Sequence, residues 1–135
     1  MNEKIIKPFL RLAIAFGFLS AVADRFGLWS KEFSTWGNWD SFLKYTQLIN
    51  PWIANFLIPP IAIIATTAEI VFAICLIIGF KTKLFAQFSG LLLLLFALSM
   101  TFSTGIKSAF DYSVFTASAA AFALSLLKTK FLELK

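Results

Sequence analysis

The stretch IAIIATTAEIVFAICLIIGF, from Ile61 to Phe80, decides the fold class of this chain. It contains one charged side chain, Glu69, and has the ~20 residues that a helix needs to cross the ~30 Å hydrocarbon core of a bilayer. Hydrocarbon offers the backbone no hydrogen-bond partner, so a spanning segment of this kind is an α-helix. The stretch therefore predicts a transmembrane helix that carries a glutamate.

Three further apolar runs of similar length predict three more crossings. The four predicted spans are residues 9–29, 61–80, 84–102 and 109–127. Of the 135 residues, 59% are hydrophobic and 14% are charged, which leaves too few polar residues for the surface of a soluble domain. We predict an all-α polytopic membrane protein with a single domain, residues 1–135, folded as an antiparallel four-helix transmembrane bundle.

The connections carry residues that begin and end helices. Pro59 and Pro60 fit the first turn of the second span, where a missing N–H is tolerated, and Gly79 fits its end. Ser108 and Asp111 have the spacing of a capping box, which predicts the start of the fourth span. Within the long outer loop, residues 30–60, the polar–apolar pattern from Asp40 to Leu48 predicts a short interfacial helix.

The distribution of lysine and arginine predicts the orientation, because eight fall on one side of the predicted membrane and four on the other. The eight are Lys4, Lys7, Arg11, Lys81, Lys83, Lys128, Lys130 and Lys135. The four are Arg25, Lys31, Lys44 and Lys107. Since the richer side is usually cytoplasmic, we predict a multi-pass protein of the cytoplasmic (inner) membrane with both termini in the cytoplasm. All tryptophans and tyrosines fall on the outer side, where aromatic residues favour the headgroup region.

The N-terminus also fits a second interpretation. Lys4 and Lys7, an apolar stretch and then Ala21-Val22-Ala23 resemble a signal peptide with its cleavage site. Cleavage there would leave a protein of three spans that begins at Asp24. The presence of Arg11 in the first run, and the length of that run, favour the four-span interpretation.

The sequence contains no histidine and one cysteine, Cys75. It therefore lacks the commonest metal ligand and neutral-pH base, and an intrachain disulfide or a CxxC redox pair is impossible. We predict no metal site, no covalently bound cofactor and no stand-alone enzymatic activity. The formal charge of +5 does not indicate nucleic-acid binding, because the basic residues lie at predicted helix ends rather than in one patch.

Glu69 is the candidate functional carboxylate. It lies 12 residues before Lys81 in the sequence, or about 18 Å along the helix, near the middle of the bilayer. A charge at that depth costs on the order of 3 kcal/mol, so the carboxylate must face other helices, pair with a base or hold a proton. Two roles stay open: proton handling or ligand anchoring, and a structural contact between helices.

Arg25, Arg11 and Asp24 are the candidate charge partners. Arg25 is nearest in depth to Glu69, with a gap of roughly 9 Å that long side chains or a water could bridge. Arg11 lies near the inner boundary and is predicted to reach lipid phosphates. Asp24 is a candidate to neutralise Arg25.

Three outer aromatic residues, Trp36, Trp39 and Tyr112, are candidates to line a pocket for a lipid or quinone headgroup, or to form part of an interfacial belt. Small residues also recur at a spacing of four, which permits close helix contacts within the monomer. These small residues are Ala13, Gly17 and Ala21 in the first span and Ala117, Ala121 and Ser125 in the fourth.

Four segments resemble the DoxX family of small four-helix membrane proteins. They are RLAIAFGFLSAVADRFGLW (11–29), WGNWDSF (36–42), AEIVFAICLIIGFKTK (68–83) and GIKSAFDYSVFTASAAA (105–121). Arg11 and Glu69 match polar positions of the family, whereas Ala15 stands where relatives often have glycine. The resemblance implies a compact bundle in the cytoplasmic membrane, and some relatives are named as subunits of quinone-linked sulfur oxidoreductases.

The resemblance and Glu69 lead to the hypothesis of a non-catalytic or quinone-interacting subunit of a redox- or stress-related membrane complex. Quinone is then the candidate ligand, and lipid and other redox subunits are the candidate partners. The alternative is a proton-coupled small-molecule transporter that uses the buried glutamate, although the charge bias predicts one fixed orientation rather than dual insertion. A scaffold without ligand is a third hypothesis, and the sequence does not define the oligomeric state.

Overall fold

The computed structural model describes residues 2–134, which form helices joined by short connections. The helices are α1 (Glu3–Arg25), α2 (Trp39–Ile49), α3 (Ile58–Ile78), α4 (Thr82–Ser103), α5 (Ile106–Asp111) and α6 (Val114–Leu126). A 3₁₀ turn, Asn55–Leu57, leads directly into α3. The chain is therefore all-α over the described range.

Within residues 2–134, three helices are long and apolar enough to cross a membrane. They are α1 with 23 residues, α3 together with its preceding turn with 24, and α4 with 22. Prolines occupy the first turn of α3, as the sequence predicts, and Gly79 ends it with the left-handed backbone that glycine favours (φ 76°). These helices support the prediction of a membrane-spanning protein.

The packing is inverted relative to that of a soluble protein. Alanine takes most of the fully buried positions, among them Ala15, Ala62, Ala73, Ala86, Ala97 and Ala121. Large apolar side chains point outward and are more than half exposed, among them Phe9, Phe16, Ile64, Leu95 and Phe102. So many large exposed side chains match surrounding hydrocarbon, and small residues inside let the helices approach closely.

Helices α1 and α3 pack together and run in opposite directions. Near the start of α1, Arg11 bonds to Leu76 near the end of α3, whereas Arg25 at the end of α1 bonds to Thr66 nearer the start of α3. We call the end of these helices at which Arg25 lies the α2 end, because α2 contacts α1, α3 and α4 there. We call the opposite end, where the C-terminal residues 127–134 lie, the tail end.

Helices α4 and α6 form the second closely packed pair. The Ser118 hydroxyl donates a hydrogen bond to the Gly90 carbonyl at 2.8 Å. Gly90 permits this approach, since a Cβ at that position would lie 2.9 Å from the Phe122 ring. Substituting Gly90 would therefore push α4 and α6 apart.

The predicted fourth span, residues 109–127, is divided in two. α5 ends at Asp111 and α6 begins at Val114, because Ser113 takes a left-handed backbone (φ 55°) that interrupts the helix. The predicted capping box is wrong: Ser108 lies inside α5, and Asp111 binds Lys107 at 2.8 Å, its neighbour four residues away. α6 alone has 13 residues, or about 20 Å, so a crossing here needs α5 as well.

Helix α2, Trp39–Ile49, is present where the pattern from Asp40 to Leu48 predicts a helix. Asn38 caps it by accepting a hydrogen bond from the Ser41 N–H at 2.8 Å. Its buried residues, Phe42, Thr46 and Ile49, share one face at helical spacing. The face they form is turned toward the other helices, so α2 closes the α2 end of the molecule.

Residues 127–134, which we call the tail, fold back across the tail end. The buried Arg11 guanidinium donates to Leu76 and Ile77 of α3, at 2.8 and 2.9 Å, and to Phe131 and Leu132 of the tail, at 3.2 and 2.9 Å. The last carbonyls of α3 have no partner within the helix. Arg11 binds them and the tail carbonyls at the same time, and so connects α3 to the tail. The prediction that Arg11 reaches lipid phosphates is wrong, because these carbonyls occupy its donors inside the protein.

A buried ion pair also holds the tail. Lys7 Nζ lies 3.1 Å from a Glu133 carboxylate oxygen, and the two side chains are only 6% and 4% exposed. Lys7 also donates to the Thr129 carbonyl at 2.8 Å, and the Glu3 carboxylate accepts from the Thr129 N–H at 2.7 Å. Gly79 makes room for this contact, since a Cβ there would lie 2.5 Å from the Glu133 Cα.

Replacing Arg11 with lysine should destabilise the protein, because one ammonium group cannot join all four carbonyls. We expect a loss on the order of 3 kcal/mol, since hydrogen bonds to charged groups contribute ~1.5–3 kcal/mol each. Unfolding in mixed micelles, followed by circular dichroism, measures it. Lys83→Arg, an exposed cation at the same end, is the control and should be neutral; equal stability of Arg11→Lys and wild type would contradict the role of Arg11.

The tail contact should also depend on pH. Burial raises the pKa of Glu133, but the neighbouring Thr82 hydroxyl and Lys7 ammonium lower it by more, so the net pKa lies below its ordinary value. A depressed folded-state pKa stabilises the protein above the unfolded value, ~4.3, and this contribution is lost as the pH falls through the folded value.

We therefore expect wild type to be more stable than Glu133→Gln by a constant amount from pH 7 to about 5, with the difference shrinking below about pH 4. The measurement is the free energy of unfolding of both proteins across this range. Glu32→Gln, at an exposed position in the loop before α2, is the matched control and should show no such difference. A difference that grew on acidification would contradict the sign of this linkage.

Candidate functional site

Glu69 forms a buried ion pair with Arg25, as their depths predict. Both residues are 2% exposed. The Arg25 Nη1 group donates to Glu69 Oε2, and Nη2 donates to Oε1 at 3.1 Å. The guanidinium and the carboxylate therefore form a bidentate pair with two parallel hydrogen bonds. Nη1 also donates to the Thr66 hydroxyl at 2.7 Å. Thr66 and Glu69 are three residues apart and therefore share one face of α3.

Two aromatic rings pack against the Arg25 guanidinium. Its central carbon lies 3.8 Å from the centre of the Phe42 ring and 5.2 Å from that of Trp36. The two rings meet edge to face with their centres 5.0 Å apart. Such cation–π contacts stabilise a charge more strongly where water is excluded. The site thus combines a salt bridge from α1 and α3 with an aromatic cover from α2 and the loop before it.

Asp24 positions the loop that carries Trp36. Its buried carboxylate accepts hydrogen bonds from the backbone N–H groups of Thr35, at 2.8 Å, Trp36, at 3.2 Å, and Gly37, at 3.1 Å. The prediction that Asp24 neutralises Arg25 is wrong, because these three N–H groups satisfy its charge instead. Asp24 acts on the site through the loop.

A cavity of about 460 Å³ lies between α1, α3, α4 and α6, with α2 across its α2 end. Its apolar wall consists of Leu10, Ala13, Ile14, Gly17, Phe18, Ala21, Ile49, Ile61, Ala62, Ala65, Leu93, Phe96, Met100, Val114, Ala117 and Ala120, with the Phe42 ring. Polar lining residues are Arg25, Thr35, Trp36, Tyr45, Thr46, Asn50, Glu69 and Tyr112. Its size falls in the range of pockets for small ligands, roughly 300–1,000 Å³.

Two buried donors on the cavity wall are unpaired. Arg25 Nε and Trp36 Nε1 have no hydrogen-bond partner among residues 2–134, and both residues line the cavity. A buried polar group without a partner costs about 1–3 kcal/mol, so most such groups in proteins are paired. Both groups are donors, so the partner that each lacks is a hydrogen-bond acceptor.

The three predicted headgroup-lining aromatics separate into two groups. Trp36 and Tyr112 line the cavity, as the hypothesis requires. Trp39 instead stacks on Phe26, with ring centres 5.8 Å apart and planes 5° apart, so its predicted place in the pocket is wrong. Trp39 is the first residue of α2, and the face that α2 turns inward begins three residues later, at Phe42.

Sequence reasoning missed the contribution of α2 to the cavity. Phe42, Tyr45, Thr46 and Ile49 all line it, and Asn50 follows at the end of the helix. Their spacing of i, i+3, i+4 and i+7 was the available signal, since it marks the face that a helix packs against its neighbours. That signal identifies a buried face but not the cavity behind it.

The small residues of the first span lie in a different environment from the one predicted. Ala13 and Gly17 are exposed and line the cavity, and a Cβ placed on Gly17 would meet no atom within 4 Å. They therefore form an opening rather than a helix contact. In the fourth span the prediction is partly right, because Ala121 packs in the core at the tail end, whereas Ala117 lines the cavity.

No protein-family model, no curated protein and no solved structure matches this chain. The described residues also contain no group of three or more Cys, Asp and Glu side chains placed to hold a metal ion. The polar groups at the cavity, namely a guanidinium, a carboxylate, an indole, phenols, threonine hydroxyls and an amide, can donate or accept hydrogen bonds.

Removing one member of the Arg25–Glu69 pair should destabilise the protein more than removing both. A charge left unpaired in a buried site costs about 3–5 kcal/mol, whereas a hydrophobic replacement of the whole pair is often neutral. We expect Glu69→Leu and Arg25→Leu each to lose stability on this scale and the double variant to recover most of it. Unfolding in mixed micelles measures all three.

The exposed pair Lys107–Asp111, whose side chains are 85% and 57% exposed, is the matched control. Its double-mutant cycle should give a coupling of at most about 0.5 kcal/mol. Additive losses at Arg25 and Glu69 would show that the two side chains do not stabilise each other.

Proposed function

We propose that this protein is a four-helix integral membrane protein that binds a membrane-soluble ligand with a hydrogen-bond-accepting headgroup, of the quinone class, in the cavity beside Arg25 and Glu69. In this proposal α5 and α6 together make the fourth crossing of an antiparallel bundle. The opposite directions of α1 and α3, and the outward-facing apolar side chains, support this arrangement.

The proposed orientation places the protein in the cytoplasmic membrane with the tail end inside. Its support is the excess of lysine and arginine at that end, eight against four. Lys7 and Arg11 are engaged in internal contacts there, and Arg25 is engaged at the α2 end. The remaining basic residues keep the same two-to-one ratio, so these contacts leave the bias unchanged.

The unpaired donors on the cavity wall carry the proposal for the ligand. A quinone has carbonyl oxygens that accept hydrogen bonds and an apolar ring and chain that suit the remaining wall. In the proposal, the Trp36 indole N–H donates to a carbonyl, and the apolar residues of α1, α3, α4 and α6 contact the ring. The Glu69 carboxylate keeps the Arg25 guanidinium in place beside this headgroup.

We further propose that the protein acts as a non-catalytic subunit of a redox complex, as the similarity to DoxX proteins suggests. Arg11 and Glu69, the polar positions shared with that family, are both buried and engaged in several hydrogen bonds. With no histidine and a single cysteine in the sequence, electrons would be carried by the ligand and by a partner subunit.

Proton-coupled transport, the alternative, finds less support at this site. A transport carboxylate must release its proton and meet its substrate in alternation. Both carboxylate oxygens of Glu69 accept hydrogen bonds from Arg25. The Phe42 ring packs against the guanidinium. Substrate-dependent proton uptake by proteoliposomes under a pH gradient would nevertheless establish transport and displace the quinone proposal.

The test is equilibrium binding of a short-chain ubiquinone to the purified protein in nanodiscs, measured by calorimetry. We expect saturable binding that Trp36→Phe weakens about tenfold, the effect of losing one hydrogen bond worth ~1.5 kcal/mol. Trp52→Phe is the matched control, because Trp52 is exposed and lies outside the cavity wall, and it should bind like wild type.

Two results would overturn the proposal. One is the absence of saturable quinone binding to wild type. The other is equal affinity of Trp36→Phe and wild type, which would remove the indole donor from the site. Adding excess phospholipid distinguishes the ligand sources: displacement of the quinone by phospholipid would assign the cavity to a lipid headgroup instead.

A further inference from the structure

The cavity opens toward the side of the molecule through α1. Four of its lining residues are exposed: Thr35 and Tyr112 lie in connections between helices, whereas Ala13 and Gly17 lie within α1. Gly17 lies six residues from Arg11 and eight from Arg25, or about 9 and 12 Å along the axis. The opening is therefore near the middle of a membrane-spanning helix, at the depth of hydrocarbon rather than of water.

The opening lies along the seam between α1 and α6. Ala117 and Ala120 of α6 line the cavity as well as Ala13 and Gly17 of α1. The same two helices also meet in the core, where Ile14 and Phe18 of α1 share a cluster with Ala121 and Leu124 of α6. On α6, Ala117 and Ala120 lie nearer the α2 end than Ala121 and Leu124, and their small side chains line the cavity instead of filling it.

We propose that this gap is a lateral portal through which the ligand passes between the hydrocarbon and the cavity, with its apolar chain projecting out between α1 and α6. The inference rests on the proposed function and specifies its ligand: an amphiphile with an acceptor headgroup and a single long apolar chain. A cavity of about 460 Å³ accommodates a headgroup and the first part of a chain, and the remainder extends into lipid.

A row of small residues can also form the contact surface for a helix from a second copy of this chain. The cavity argues against it, since the face that carries Ala13 and Gly17 is part of the cavity wall and Phe16 stands exposed beside it. The independent sign of a ligand is the Arg25 side chain, which is 2% exposed, lines the cavity and has an unpaired Nε.

The test is to narrow the portal with Gly17→Phe and to follow quinone binding in nanodiscs by stopped-flow quenching of tryptophan fluorescence. Gly17 is helical with open space around it, so the helix itself accommodates the larger residue. We expect association and dissociation both to slow by about tenfold, because a narrowed passage affects both directions. Ala119→Phe, at an exposed position of α6 outside the cavity wall, is the matched control and should bind at the wild-type rate.

The outcomes separate the two proposals. No binding to wild type would overturn the proposed function and the portal with it. Binding to wild type, with Gly17→Phe at the wild-type rates, would overturn the portal alone. Faster dissociation with unchanged association would show that the new ring fills the cavity, which also rejects the portal.

Two further measurements complete the experiment. If Gly17→Phe does not fold, Ala13→Leu narrows the same opening with a smaller side chain and is read in the same way. The oligomeric state of wild type and Gly17→Phe is measured in parallel. A dimer that Gly17→Phe dissociates, with unchanged binding rates, would assign the gap to an interface between copies and overturn the portal.

Discussion

The structure depends on the requirement that Glu69, placed in the middle of an apolar helix, have a partner inside the protein. Arg25 provides it with two parallel hydrogen bonds, and this contact sets the position of α1 along α3. Phe42 and Trp36 then cover the guanidinium, which brings α2 and its preceding loop onto the same point. Asp24, the neighbour of Arg25, holds the backbone of that loop, so one short segment of α1 organises the whole α2 end.

Arg11 performs the corresponding task at the other end of α1. Together the two arginines fasten α1 to α3 near both of its ends. The pair α4 and α6 is fastened separately, through Ser118 and the close approach at Gly90. The seam between α1 and α6 has alanine and glycine instead of a polar contact toward the α2 end. The cavity and its opening therefore follow from where the polar contacts were placed.

The sequence predicted those parts of the structure that depend on depth and periodicity. Glu69 and Arg25 were matched by counting residues along two apolar runs, and helix α2 was visible in its pattern. Arg11 was misjudged because its partners are backbone carbonyls, including those of a tail whose return no periodicity encodes. Likewise, Ser113 breaks the fourth apolar run without glycine or proline to signal it. Orientation, family and ligand stay predictions.

The cavity has an energetic cost that bears on function. Larger side chains at Ala13, Gly17 or Ala117 would fill space and add contacts, and each unpaired buried donor costs about 1–3 kcal/mol. A protein selected for stability alone would close this space, whereas here α2 and an anchored loop are arranged around it. Arg25 is bonded to Glu69 and Thr66 through its terminal nitrogens, whereas its Nε has no partner among residues 2–134. Under the proposed function, an acceptor bound beside these donors would pair with them and recover the cost.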